Sequence, residues 1–242
     1  MVAPPDNDVI WARSLHHAHR GSPALAGVSL GVREGEILAV CGPRGSGKTT
    51  LLQCLSGQLV PQQGEVWFNS SPVHSLPPLR RERLRHERFG WIDPVPALVP
   101  ELTAWENAAL PLLLRGVSRR TAKAGALEWM ERLDIGDAAR KRPHALVRSE
   151  QQRVAVARAL VGEPAVLFAD EPTAALHSAD AAHVLRTVTA AARSHRMTMV
   201  LATHDPETAA VADRVLTILD GRRTGSTATP AAEGRAACSL SV

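Results

Sequence analysis

The chain has 242 residues, of which 45% are hydrophobic and 21% charged, and its formal net charge is +4. This composition excludes wholesale disorder, and no apolar run approaches the ~18 residues that a membrane-spanning helix needs. The three cysteines form no metal-binding pattern and the first residues do not resemble a secretory signal, so we expect reduced thiols and a cytoplasmic location.

The excess of positive charge comes mainly from arginine. Only the segment 79–88 is densely basic, and Glu82 and Glu87 interrupt it. Interleaved charges of both signs are typical of a solvated helix. We therefore expect no direct binding to nucleic acid.

In the first part of the chain, the pattern predicts strands around a glycine-rich turn. Residues 24–41 read as strand material, and their last five residues are continuously apolar, as in a strand buried on both faces of a parallel sheet. A helix is predicted over residues 51–59 and a short strand over residues 66–68.

The remainder of the chain alternates helices and strands. Residues 94–150 include a Leu- and Ala-rich stretch with helical spacing, which predicts an inserted helical subdomain. Beyond it we predict a helix over 150–161, strands over 165–169, 198–202 and 215–219, and helices near 178–194 and 206–212. This order indicates an α/β fold with parallel strands, followed by a disordered tail over residues 224–242.

The turn after the first buried strand has the pattern of a phosphate-binding loop. Its residues are Gly42, Pro43, Arg44, Gly45, Ser46, Gly47, Lys48, Thr49 and Thr50, which fill every fixed position of G-x-x-x-x-G-K-[ST]. Glycines let backbone N–H groups surround a polyphosphate at the positive end of a helix. Lys48 would reach the outer phosphates, and the Thr49 hydroxyl would coordinate Mg²⁺.

Three further polar residues follow the ends of later predicted strands. Asp170 would hold Mg²⁺ through water, and Glu171 would polarise an attacking water as a general base. His204 would contact the γ-phosphate from the carboxyl edge of the sheet. An acidic pair at a strand end is by itself more often a loop or a helix cap, but together with the phosphate loop it predicts a site for Mg²⁺ and a nucleotide.

Around these motifs the chain resembles the ATP-binding subunits of ABC transporters. The resemblance covers residues 8–223. The segment 102–113 is similar to the lipoprotein-release, macrolide-export and cell-division branch, and the segment 151–160 is similar to the helix that follows the signature of the whole family. It implies one ABC-type P-loop NTPase domain with a small antiparallel β lobe and a helical subdomain. It also implies that two subunits, as a homodimer or a heterodimer, clamp ATP beneath a separate transmembrane permease on the inner face of the cell membrane.

Four positions depart from the pattern of that family. The signature reads Leu146-Val147-Arg148-Ser149-Glu150 and lacks the usual glycines. Pro94 stands at the Q-loop glutamine, and His177 replaces the D-loop carboxylate. The aromatic residue that stacks on adenine is missing, and His19 is the candidate replacement, with Trp11 a poorer fit.

These departures leave two main functions open. The first is a transporter motor whose hydrolysis the altered signature weakens, although Ser149 and Gln152 would still form a capping box at the helix start. The second is a regulatory subunit that senses nucleotide with slow or no turnover, such as the degenerate half of a heterodimer. The intact Glu171 argues against the second. A soluble ATPase acting on nucleic acid is a weaker third option, because such proteins usually carry two nucleotide domains.

Overall fold

A computed structural model describes residues 8–228 of the chain. The described chain divides into two compact units, one formed by residues 8–85 and 198–228 and the other by residues 86–197. No helix between residues 8 and 228 is both long and apolar enough to cross a membrane.

The strands and helices follow one another much as the sequence pattern predicts. The strands are β1 (Asp8–His19), β2 (Ser22–Arg33), β3 (Ile37–Cys41), β4 (Gln63–Phe68), β5 (Ser71–Pro72), β6 (Phe89–Ile92), β7 (Val166–Asp170), β8 (Thr198–Thr203), β9 (Arg214–Leu219) and β10 (Arg222–Ala228). The helices are α1 (Lys48–Leu55), α2 (Pro78–Arg88), α3 (Ala104–Leu114), α4 (Arg119–Arg132), α5 (Arg148–Leu160), α6 (Ser178–Ser194) and α7 (Pro206–Ala209), with short 3-10 turns at Gly136–Ala138 and Pro143–Ala145.

The first unit contains the predicted small antiparallel lobe, in the order β2-β1-β4-β5. Ile10 of β1 pairs with Val32 on one side and with Phe68 on the other. These three side chains are buried, so the lobe has an apolar face of its own.

The same unit contains a second sheet, in which β3 lies between β8 and β9 and runs parallel to both. Ile37 to Val40 are fully buried, as expected for a continuous apolar run with both faces covered. β10 pairs antiparallel with β9 and extends five residues into the predicted disordered tail, because its backbone is held in this ladder. The rest of that tail lies outside the described residues.

The second unit contains the helical subdomain and the parallel strand pair β6–β7. Helix α3 packs against α4 and α5, and its buried apolar side chains are Ala104, Trp105, Ala108 and Ala109. Asn107 is fully buried on α3 and holds the preceding loop, since its Oδ1 accepts from the Val99 N–H at 2.7 Å and its Nδ2 donates to the Leu102 carbonyl at 3.1 Å.

Candidate nucleotide site

The phosphate loop connects β3 to α1, and its glycines are required by its geometry. Gly45 and Gly47 have φ angles of 79° and 103°, in the left-handed region that favours glycine. A Cβ atom on Gly47 would lie 2.2 Å from the Ala24 carbonyl oxygen, and one on Gly42 would lie 2.2 Å from the Ile218 carbonyl oxygen. Helix α1 begins at Lys48, directly after these glycines and three residues before the predicted start.

Lys48 and Ser46 fit a loop that binds an anion. Lys48 is only 6% exposed, and its Nζ donates to the carbonyls of Gly42 at 2.8 Å and Pro43 at 3.0 Å. The buried Ser46 Oγ has no hydrogen-bond partner within residues 8–228. A buried hydroxyl without a partner is costly in a folded protein, and a phosphate oxygen would satisfy it.

Two backbone hydrogen bonds fix the loop within the first unit. The Gly221 N–H donates to the Ser46 carbonyl at 3.0 Å, and the Gly221 carbonyl accepts from the Ala26 N–H at 2.8 Å. The turn between β9 and β10 thus holds both β2 and the phosphate loop. A phosphate would meet a loop that is already in place.

His19 lies beside the phosphate loop, at the end of β1. It lines a cavity of about 290 Å³ together with Ser22, Pro23, Ala24, Gly45, Gly47, Lys48, Thr49 and Thr50. Its Nε2 is 3.0 Å from the Thr50 hydroxyl, and the His17 ring packs edge-on against it at 4.8 Å. Trp11 packs instead against Trp67, so His19 remains the candidate for stacking on the base.

His204 follows β8 at the sheet edge where the phosphate loop begins. Cys41 and Thr203 are register partners in the parallel pair β3–β8, so Gly42 and His204 leave the same edge of the sheet. The Thr203 hydroxyl accepts from the Asp205 N–H at 3.0 Å, and Asp205 caps α7. The hydrogen bond from the Thr208 hydroxyl lowers the pKa of Asp205, because it favours the charged carboxylate.

Asp170 and Glu171 lie at the end of β7, in the second unit. Asp170 is 1% exposed. Glu171 has a φ of 44°, which is uncommon for a residue other than glycine and is often found at active sites. The strand thus ends in a buried carboxylate followed by a second carboxylate on a strained turn.

The oxygen ligands predicted for Mg²⁺ are the Thr49 hydroxyl and the Asp170 carboxylate. Both are donors that Mg²⁺ accepts, since this ion takes oxygen ligands and keeps several waters or substrate phosphates. Between residues 8 and 228, no group of three or more His, Cys, Asp or Glu side chains forms a metal site.

The signature segment shows a correction to the sequence analysis. The N-cap of helix α5 is Val147, and the Glu150 Oε2 accepts from the Val147 N–H at 3.0 Å. The predicted capping box of Ser149 and Gln152 is therefore wrong, because the helix begins at Arg148 and its third residue supplies the cap. Val147 and Arg148 are exposed, whereas Leu146 is buried.

Gln152, which was predicted to cap the helix, has a different role in the structure. Gln152 is fully buried, and its Nε2 donates to the carbonyls of Asp93 at 2.9 Å and Pro172 at 3.1 Å. The burial of Gln152 could have been predicted from the sequence, because this polar residue lies four residues before Val156 and so on the same apolar face of α5. Two of the altered positions lie close in sequence to the partners of Gln152. Pro94 directly follows Asp93, and His177, the exposed N-cap of α6, lies shortly after Pro172.

Comparison with known proteins connects these motifs to one family. The pattern of the ABC transporter family matches residues 25–174. The chain is 35% identical over 218 residues to the lipoprotein-releasing system ATP-binding protein LolD of Aquifex aeolicus, which covers 90% of this chain and 97% of that protein. It is 40% identical over 198 residues to the uncharacterized ABC transporter ATP-binding protein YbbA of Escherichia coli, with coverages of 82% and 87%.

Solved structures give the same result for the fold. The dimeric ATP-binding cassette MJ0796 bound to ADP and Pi matches with a TM-score of 0.86 at 28% identity, covering 91% of this chain and 98% of that one. The protein cbiO1 of Clostridium perfringens, part of the ABC transporter complex cbiONQ, matches with a TM-score of 0.81 at 26% identity, with coverages of 95% and 91%. The predicted fold class and the resemblance to the lipoprotein-release branch are confirmed.

Proposed function

Because the chain belongs to the ABC transporter family, as an ATP-binding subunit, we propose that it hydrolyses Mg-ATP to drive a separate membrane permease. The observation that carries this proposal is the preformed phosphate loop, with Lys48 buried over its carbonyls and the Ser46 hydroxyl buried without a partner in the described chain. The protein would act in the cytoplasm, on the inner face of the cell membrane.

Each polar residue of the motifs has a role in this proposal. The N–H groups of the phosphate loop and the Lys48 ammonium would bind the phosphates, and His19 would stack on the adenine. Thr49 and Asp170 would hold Mg²⁺, which would neutralise charge on the phosphates. Glu171 would accept a proton from the attacking water, and His204 would contact the γ-phosphate.

We place the permease on the helical subdomain. A cavity of about 290 Å³ lies within the second unit, and its wall includes Trp91, Pro111, Leu114, Arg115 and Arg158. Leu114 is 62% exposed, although it is a large apolar residue at the end of α3. An exposed apolar side chain beside arginines is suited to a partner that presents both apolar and acidic groups.

Dimerisation would bring the signature of one subunit to the ATP of the other. The serine and the two glycines of the usual signature are replaced here by Val147, Arg148 and Ser149, and the first two of these are exposed at the start of α5. A heterodimer with a partner that carries an intact signature would have one competent site and one weak site. A homodimer would use two altered ones.

Steady-state hydrolysis of Mg-ATP by the purified chain tests the proposal. We expect turnover by the native chain, ATP binding without turnover in Glu171→Gln, and loss of binding in Lys48→Ala. Binding without turnover by the native chain would favour the nucleotide-sensing alternative, for which the altered signature is the specific observation. Failure of the native chain to bind ATP would overturn the proposal.

A further inference from the structure

Gln152 connects two loops through a single buried amide. Its Nε2 donates to the carbonyl oxygens of Asp93 and Pro172, at 2.9 Å and 3.1 Å. Both partners are acceptors, so the nitrogen and not the oxygen of the amide must face them. The Gln152 Oε1 is buried and has no partner within residues 8–228, so the side chain is placed for its donors.

The first of these loops follows β6 and carries Pro94. Proline has neither an amide side chain nor a backbone N–H, so this position offers no donor of its own. Helix α5 holds the loop instead, because Gln152 donates to the Asp93 carbonyl and the Arg158 guanidinium donates to the Ala97 carbonyl at 2.7 Å. The Trp91 indole N–H further fixes the Asp93 side chain, at 2.6 Å from its Oδ1.

The second loop begins with Glu171. Pro172, whose carbonyl accepts from Gln152, is the next residue in the chain. Glu171 has a φ of 44°, and a strained backbone of this kind persists only where its surroundings hold it. Within the loop, the Ala174 N–H donates to the Glu171 carbonyl at 3.1 Å. From outside the loop, Gln152 stabilises it through the hydrogen bond to the Pro172 carbonyl.

We propose that Gln152 is a positioning residue for ATP hydrolysis, which fixes the Glu171 loop to the segment 93–97 through its two hydrogen bonds. The inference rests on the proposed function, because it assigns the hydrolytic role to Glu171. Because the Gln152 amide donates to the carbonyls of both Asp93 and Pro172, the position of the Glu171 loop depends on that of segment 93–97. A disturbance of segment 93–97 therefore reaches the residue that activates water.

The test compares two variants of Gln152 with a matched control. Gln152→Met keeps the length of the side chain and removes both donors, and Gln152→Glu places a carboxylate against two carbonyl oxygens. Gln151→Met is the control, since Gln151 also donates from α5 to two carbonyls, those of Pro143 at 2.9 Å and Leu146 at 3.2 Å. Thermal unfolding of all three variants checks that they fold.

Hydrogen exchange measures the connection without any need for turnover. We expect amides in both segments, 93–97 and 172–176, to exchange at least about tenfold faster in Gln152→Met, since loss of a hydrogen bond loosens the segment that it anchors. In Gln151→Met we expect no change in these two segments. Unchanged exchange in either segment of Gln152→Met would overturn the proposed connection.

Kinetics test the positioning role. For Gln152→Met we expect kcat to fall about ten- to a hundredfold with the KM for ATP nearly unchanged, since small misplacements of a catalytic group cost this much. In Gln152→Glu, the buried carboxylic acid regains one hydrogen-bond donor when it is protonated. We therefore expect the turnover of this variant, relative to that of the native chain, to rise as pH falls. Faster exchange with unchanged kcat would overturn the positioning role. Absence of turnover in the native chain would refute the proposed function instead, and the exchange experiment would still decide whether Gln152 joins the loops.

Discussion

At the scale of single residues, the phosphate loop depends on a close approach that only glycine allows. A methyl group on Gly47 would lie 2.2 Å from the Ala24 carbonyl oxygen, in a backbone that is already left-handed. We expect Gly47→Ala to destabilise the fold by about 1–3 kcal/mol and to weaken ATP binding at least tenfold. Gly116→Ala is the matched control, because Gly116 has a φ of 79° but no atom within 4 Å of the added Cβ. Thermal unfolding and titration with a fluorescent ATP analogue measure both effects, and equal losses in the two variants would contradict the explanation.

His19 allows a second prediction at this scale. An imidazole stacks on a base less strongly than an indole does, so we expect His19→Trp to tighten ATP binding several-fold and His19→Ala to weaken it by about 1 kcal/mol. Binding of inorganic tripolyphosphate, which has no base, should stay the same in both variants. His16→Ala is the control on the same strand. A loss of tripolyphosphate binding in His19→Ala would show that the residue supports the loop and does not contact the base.

At the scale of elements, the outcome of each prediction from sequence followed the strength of its physical signal. The strands β3, β7 and β8 were predicted to within a residue at each end, because continuous apolar runs are characteristic of buried parallel strands. Strand β1 lies outside the predicted strands, which begin at residue 24, since polar residues and histidines interrupt its alternation. Pairing with both β2 and β4 stabilises it, and such long-range pairing leaves little trace in the local sequence.

Helix α3 provides a prediction at this scale through its N-terminal cap. Glu106 Oε2 accepts from both the N–H and the hydroxyl of Thr103, and the hydroxyl bond chiefly lowers the pKa of Glu106. A lowered pKa contributes stability above the unfolded value of 4.5, and this contribution is lost as pH falls through the folded value. We expect Glu106→Gln to lower the free energy of unfolding by about 1 kcal/mol at neutral pH, and the difference to shrink below pH 4.5.

The control for Glu106→Gln is Glu128→Gln on helix α4, which also neutralises a glutamate but removes only an exposed ion pair with Arg132 of the same helix. Exposed pairs contribute little, so we expect a change of less than about 0.5 kcal/mol. Urea unfolding at neutral and acidic pH separates the two variants. A constant difference between Glu106→Gln and the native chain across this pH range would mean that the carboxylate charge does not stabilise the cap.

At the scale of the whole molecule, the sequence predicted the motifs better than it predicted the contacts between them. The phosphate loop and the strand ends carry patterns that are local and specific, so their residues could be named without a structure. The left-handed turn at Glu171 and the connections made by Gln152 could not be predicted in this way. They depend on contacts between distant parts of the chain, since Gln152 of α5 joins Pro172, 20 residues after it, to Asp93, 59 residues before it.

The altered signature is the last feature that acts at this scale, because in the proposed dimer it faces the nucleotide of the other subunit. If Val147 and Arg148 limit hydrolysis, the triple change Val147→Ser, Arg148→Gly and Ser149→Gly should raise kcat by about tenfold or more, since a preorganised donor is worth ~10²–10³ in rate. Arg142→Gly, another exposed arginine upstream of α5, should leave kcat unchanged. Mixing the triple variant with Lys48→Ala subunits then separates the two sides of the dimer. In a mixed dimer only the triple-variant subunit binds ATP, and that ATP faces the unrepaired signature of the Lys48→Ala subunit. If the signature acts on ATP bound by the other subunit, we therefore expect the stimulation to be lost in proportion to the share of Lys48→Ala subunits. Stimulation that persists in mixed dimers would mean that the repaired signature acts on the ATP of its own subunit.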